Sequence, residues 1–210
     1  MKCSVLNIVV PLVLTSTLAQ AADSDPEEGK THFGVCQGCH GAAGQGNQES
    51  GAPSVSGQNS WYLIRQLENF RDGIRGAHDD DTYGQLMASM AKTLPDAQAV
   101  KNVTAYIATL TPVSSSPTEA VGNVAQGSII FSSCQTCHGE RGEGSEALGG
   151  PRLAGQHDWY LIRQLKNFKA GVRGVHEKDT YGQTMRSMAH ALLADDQALK
   201  DVVTFIKTLP

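Results

Sequence analysis

"CQGCHGAAGQG", Cys36 to Gly46, returns 98 positions later as "CQTCHGERGEG", Cys134 to Gly144. Each copy sets two cysteines three positions apart, with a histidine directly behind the second. Working outward, "WYLIRQLENFRDGIRGAHDDDTYGQLMASMA" (Trp61 to Ala91) aligns without a gap on "WYLIRQLKNFKAGVRGVHEKDTYGQTMRSMA" (Trp159 to Ala189), and 22 of these 31 positions are identical. Shared composition cannot produce that match, so the two halves are duplicates. The 98-residue offset also relates Phe33 to Phe131, Pro53 to Pro151 and Gly57 to Gly155, and becomes 99 only near the end. "TPVSSSPTEAVG", Thr111 to Gly122, is rich in Ser, Thr and Pro and reads as a linker between a domain at 22–110 and a second at 123–210.

Residues 1–21 read as a secretory signal: Lys2 is the positive n-region, an apolar run broken by Pro11 follows, and small residues invite cleavage after Ala21. The run is shorter than the roughly 20 residues a spanning helix needs. Without Lys2, 16 basic residues face 21 acidic ones, a net charge of −5 with His neutral. That balance speaks against nucleic acid and for a partner with a basic surface. The leader also takes Cys3 with it, leaving four cysteines, all in the two CxxCH segments.

The periodicity within each half is helical. "PEEGKTHFGVCQGC" predicts a helix with Pro26 near its start and acidic residues in its first turn. "SWYLIRQLENF" places Trp61, Ile64 and Leu67 on one stripe behind Ser60 as N-cap, and its twin uses Asp158 in that role. Asp96 and Asp195 cap the closing amphipathic helices. No segment alternates as a strand does, so each half is all-α. A domain of about 90 residues has a thin core and often needs a disulfide, metal or cofactor to fold.

Four readings of CxxCH compete. A disulfide suits an exported chain. A thioredoxin-like pair needs a βαβ context, which is missing. A structural zinc site needs a further ligand pair that does not appear. Covalent haem uses every residue of the motif: two thiols bond the vinyl groups and the histidine supplies the proximal nitrogen. Two copies at matching places, with no cysteine left over, favour two haem c groups held by Cys36, Cys39, Cys134 and Cys137, with His40 and His138 on iron. Candidates for the sixth ligand must recur in both halves, which leaves Met87/Met185, Met90/Met188 and His78/His176. The methionines are preferred, since His78 and His176 sit in polar loops; His32, His157 and His190 read as surface residues. Arg65/Arg163 and Arg75/Arg173 suit haem propionates or solvated helix faces, and Trp61/Trp159 suit the core.

The sequence resembles the tandem di-haem class I cytochromes c, of the cytochrome c4 type, over the whole mature chain. CQGCHG, Pro53, "GQ" at Gly57–Gln58, "WYLIRQL", "GIRG", the Met segment and the last helix carry the likeness, as do their second-half counterparts. The resemblance implies two all-α domains, each a few helices packed round a covalently attached haem. Its Met-x-x-Val-Ala-x-x-Leu pattern points to Met87 and Met185 as iron ligands, although Met90 and Met188 stand where that pattern has Val. It also implies that the carbonyls of Pro53 and Pro151 accept the Nδ1–H of His40 and His138. The function implied is electron carriage rather than catalysis: a periplasmic protein, free or at the membrane surface, passing single electrons from a quinol-oxidising complex or dehydrogenase toward a terminal oxidase. Its partners would be redox proteins, including a membrane-bound oxidase, with no nucleic acid and no small-molecule substrate. A di-haem peroxidase, a thiosulfate-oxidising enzyme or the haem subunit of a larger dehydrogenase are the alternatives.

Overall fold

A computed structural model describes residues 24–113, 116–119 and 121–210. The expected leader, with Cys3, lies outside these residues, as do three positions of the expected linker. Among the described residues there are eight helices and no strand, only isolated bridges at Asn47/Ala52 and Ser145/Gly150. The N-terminal half holds α1 (Pro26–His40), α2 (Ser60–Arg71), α3 (Thr82–Ala91) and α4 (Ala97–Thr109). The C-terminal half holds α5 (Val124–His138), α6 (Asp158–Ala170), α7 (Thr180–Leu192) and α8 (Asp196–Ile206).

Helix α1 starts where the sequence puts it. The Asp25 side chain accepts from the backbone N–H groups of Glu27 and Glu28, and Pro26 fills the first position, where no donor is needed. It then crosses α4 at very close range: a Cβ on Gly29 would sit 1.9 Å from the Asn102 carbonyl oxygen. Gly127 makes the same crossing of α5 over α8, 2.0 Å from the Asp201 carbonyl oxygen. Only glycine permits either approach. Phe33, Val100, Val103 and Ile107 close the first core, and Phe131, Leu199, Val203 and Ile206 the second. Each such side chain contributes about 1.5–3 kcal/mol by leaving water.

Two capping expectations need correction. Helices α2 and α6 begin at Ser60 and Asp158, so their N-caps are Asn59 and His157, neither of which caps through its side chain. Asp158 has another task. It is fully buried, and its carboxylate accepts from the N–H groups of Thr118 (2.7 Å) and Glu119 (2.6 Å), which ties this part of the linker region to α6. The caps at Asp96 and Asp195 form as expected, on Ala99 N–H and Ala198 N–H.

The halves meet through reciprocal bonds. Gln156 Nε2 donates to the Ser54 carbonyl (2.9 Å), and its counterpart Gln58 Nε2 donates to the Arg152 carbonyl (3.0 Å). Arg65 donates to the Gly149 carbonyl and Arg163 to the Gly51 carbonyl. Arg65 lies over the Tyr181 ring at 4.2 Å, and Arg163 over Tyr83 at 4.1 Å. Each residue thus touches the twin of the one its own twin touches, the signature of a pseudo-two-fold interface.

Candidate functional site

Both CxxCH motifs occupy the last turn of a helix, α1 or α5. Gly41 and Gly139 end these helices with φ near +80°, turning the chain back so that the following loop passes over the histidine. His40 and His138 are buried, 8% and 7% exposed. Nδ1 of His40 donates to the Pro53 carbonyl at 2.9 Å, and Nδ1 of His138 to that of Pro151 at 2.8 Å. A carbonyl can only accept, so the proton sits on Nδ1 and Nε2 keeps its lone pair. Burial lowers the pKa of both imidazoles, and the proline bond opposes it with less effect, so both stay neutral as a metal ligand must.

The four described cysteines are half-buried and no disulfide joins them, which sets aside the disulfide reading. Burial and the neighbouring Cys137 push the Cys134 thiol up to about 11; burial and Cys39 raise Cys36 as well. All four line one continuous cavity of about 320 Å³ that runs through both halves. Its walls are largely apolar: Phe33, Leu67, Phe70 and Leu94 on one side, Leu161, Phe168 and Ile206 on the other.

Met87, Met90, Met185 and Met188 all line the same cavity, carried by α3 and α7. The sequence reading placed these segments between helices without seeing that they form helices of their own. Met87 packs beside Phe70, Ala88 and Ala91, and Met185 against the C-terminal core. Met188 is 37% exposed. His78 and His176, the other sixth-ligand candidates, line a separate smaller cavity between the loops that follow α2 and α6.

The arginines expected at propionates lie where the halves meet. Arg75 donates to Gln66 Oε1 (2.6 Å), Tyr160 Oη (3.2 Å) and Gln164 Oε1 (3.1 Å); Arg173 donates to Gln164 Oε1, Tyr62 Oη and Gln66 Oε1 in the mirrored pattern. Burial alone would raise the Tyr62 phenol, but the guanidiniums of Arg173 and Arg75 outweigh it and hold it below the usual value. Yet Arg65, Arg75, Arg163 and Arg173 each keep a buried Nε–H with no partner. Four unpaired cationic donors at the wall of an apolar cavity fit a cofactor that brings carboxylates with its flat apolar body. The residues therefore fit haem: thiols and a bare Nε2 from α1 and α5, thioethers from α3 and α7, and orphaned guanidinium donors for the propionates.

Two histidines depart from expectation. His157 is not a free surface residue: its Nε2 donates across the halves to the Gln45 carbonyl at 2.7 Å, and its ring stacks on Trp159. His32 is only 22% exposed at its side chain, 3.7 Å from Glu28. His190 is exposed as expected. Trp159 is buried, 5% exposed, whereas Trp61 is only half-buried. The interface itself, with Tyr62, Tyr160, Gln66 and Gln164, was not foreseen, although the near-identity of the "WYLIRQL" stretches was its available signal.

The cytochrome c family profile matches residues 26–111 and again 124–210. The chain belongs to the cytochrome c family, in two tandem copies, and carries two covalently attached haem c groups. It is 32% identical to cytochrome c4 of Pseudomonas aeruginosa over 209 residues, covering 91% of this chain and 94% of the relative. A thiosulfate dehydrogenase electron acceptor of Stutzerimonas stutzeri is 29% identical, covering 86% of each chain. The crystal structure of reduced recombinant cytochrome c4 from Pseudomonas stutzeri superposes with a TM-score of 0.71 at 25% identity, covering 89% of this chain and all of that one. These likenesses make the chain a di-haem cytochrome of the cytochrome c4 kind.

Proposed function

We propose that this di-haem cytochrome is an electron carrier of the periplasm, exported with a leader cleaved after Ala21 and built of domains at 22–110 and 123–210. Bound haem would supply the one-electron chemistry. His40 and His138 offer Nε2 from one wall of the cavity. Met87 and Met185, the members of the methionine pairs packed against the cores, would offer sulfur from α3 and α7. That pairing carries the reading, because an imidazole nitrogen and a thioether in each half would hold the iron and leave no position for a substrate, and a thioether would favour the reduced state. The four guanidiniums neutralise the propionates, and the apolar walls keep water from the metal.

The donor in this proposal is a quinol-oxidising complex or dehydrogenase and the acceptor a terminal oxidase. The relative named as an acceptor for thiosulfate dehydrogenase supports the dehydrogenase side. Met87→Ala and Met185→Ala should each remove the near-infrared sulfur-to-iron band of one haem, lower its potential and admit carbon monoxide, while Met90→Ala and Met188→Ala keep the band. The unaltered protein should bind carbon monoxide poorly at neutral pH. Stoichiometric carbon monoxide binding together with fast peroxide or thiosulfate turnover would reverse the assignment to an enzyme.

A further inference from the structure

The halves repeat each other closely around the cavity and part company at its two mouths. In the N-terminal half, exposed Val35 and Leu86 line the cavity, 56% and 51% accessible, with Met90 beside them on the Leu86 helix. Their counterparts 98 positions on are Ser133, Thr184 and Met188. One rim is apolar and the other mostly polar. Leu148 reverses the pattern against Ser50, but it adjoins Gly149, whose carbonyl takes Arg65 of the other half, so it belongs to the junction. Exposed Val124 and Ile129 on α5 line no part of the cavity.

Charge divides the same way. Residues 22–110 hold 11 acidic and 6 basic side chains, a net −5, whereas residues 123–210 hold 9 acidic and 10 basic, a net +1. Beside the mouths the contrast sharpens. His78 to Met90 has three aspartates and no basic residue, with Asp79 and Asp80 exposed. His176 to Met188 balances Glu177 and Asp179 against Lys178 and Arg186. An apolar centre with charge of one sign around it is how a transient redox interface combines steering with close approach.

Resting on the electron-carrier reading, we propose that the mouth of the N-terminal cavity, Val35, Leu86 and Met90, with exposed Asp79 and Asp80 just ahead of the helix that carries Leu86, is the docking surface for a redox protein that presents an apolar patch ringed by lysine and arginine. The C-terminal mouth, less apolar and balanced in charge, does not take that partner. Electrons exchanged with a basic-rimmed partner therefore pass through the N-terminal haem first.

The test is stopped-flow electron exchange of the reduced holoprotein with an oxidised mono-haem cytochrome c whose haem edge is ringed by lysines. The double variant Val35→Ser/Leu86→Thr gives the first mouth the residues of the second, and both positions are exposed enough to leave folding intact. It should slow the bimolecular rate about tenfold, with both potentials and both spectra unchanged. Asp79→Asn/Asp80→Asn should slow exchange at low salt and flatten its salt dependence. Ser133→Ala/Thr184→Ala should leave the rate alone. Equal rates for the wild type and the Val35/Leu86 variant, or an equal loss in the Ser133/Thr184 variant, overturn the docking surface while leaving the carrier reading intact. No exchange by the wild type, although dithionite reduces both haems, sinks the carrier reading and this inference with it. If the apolar mouth instead seats a second copy, sedimentation will show a wild-type dimer that Val35→Ser/Leu86→Thr dissociates, and the proposal fails.

Discussion

A single carbonyl decides how each histidine meets the cavity. The Pro53 oxygen takes the proton-bearing Nδ1 of His40 and so turns the bare Nε2 toward the cavity. Gly46 holds the proline segment in place: its φ is +83°, and a Cβ there would lie 2.7 Å from the Pro53 carbonyl carbon. We expect Gly46→Ala to cost about 1–3 kcal/mol from the left-handed backbone, with more from the clash. Displacing the Pro53 carbonyl weakens electron donation to the imidazole, so the potential of that haem should rise. Voltammetry should show one wave moved and the other in place, with the denaturation midpoint lowered. Gly144→Ala should act on the other haem, since its Cβ would meet Arg152 N at 2.7 Å.

At the scale of helices, α3 and α7 matter most because they carry the methionines, and they were the least legible. Tyr83, Leu86, Met87 and Met90 in one and Tyr181, Met185 and Met188 in the other do keep helical spacing, but each run contains a glycine that masks it. The signal lay in the aspartate ahead of each: buried Asp81 accepts from Gly84 N–H at 3.0 Å, and Asp179 from Gly182 N–H at the same distance. Asp81→Ala should cost about 0.5–2 kcal/mol, while Asp81→Asn, which keeps the acceptor, should cost far less. Loosening α3 should also let carbon monoxide reach one iron, which a purely local loss of cap stability would not do. By contrast α1, α4 and α8 were readable, since a proline with acidic residues, or a capping aspartate, marks their starts; α5 has neither and is capped by Asn123. The motif cysteines and histidines were legible as well, because the chemistry of CxxCH is local to five residues. For α2 and α6 the stripe was right and the cap wrong, because the linker claims the Asp158 carboxylate. Asp158→Ala should therefore leave Thr118 and Glu119 N–H unpaired and speed proteolytic cleavage in the linker, with little change in either haem spectrum.

At the scale of the whole molecule, the interface escaped sequence reading because it is built from long polar side chains that follow no period. Repetition was its trace. A pseudo-two-fold contact asks the same residues of both halves, and "WYLIRQL" is where both supply Tyr, Arg and Gln to each other. Buried Gln156 satisfies both backbone groups of Ser54, at 2.9 and 3.0 Å. Gln156→Ala should cost about 1–3 kcal/mol for each group left unpaired. Calorimetry should then resolve two transitions where the unaltered protein shows one. A single unchanged transition would mean that the other contacts, guanidinium, Gln58 and His157, suffice to couple the halves.

The cavity that runs unbroken through both halves makes the molecule a register with two places rather than two separate couriers. With only the hydrogen-bonded arginine, tyrosine and glutamine side chains at the junction of its compartments, a charge accepted at one mouth can move inward and vacate that mouth while the complex persists. A donor that releases electrons in pairs can then empty both into one encounter, and the fully loaded protein leaves with twice the cargo of a single-domain relative for one diffusional search.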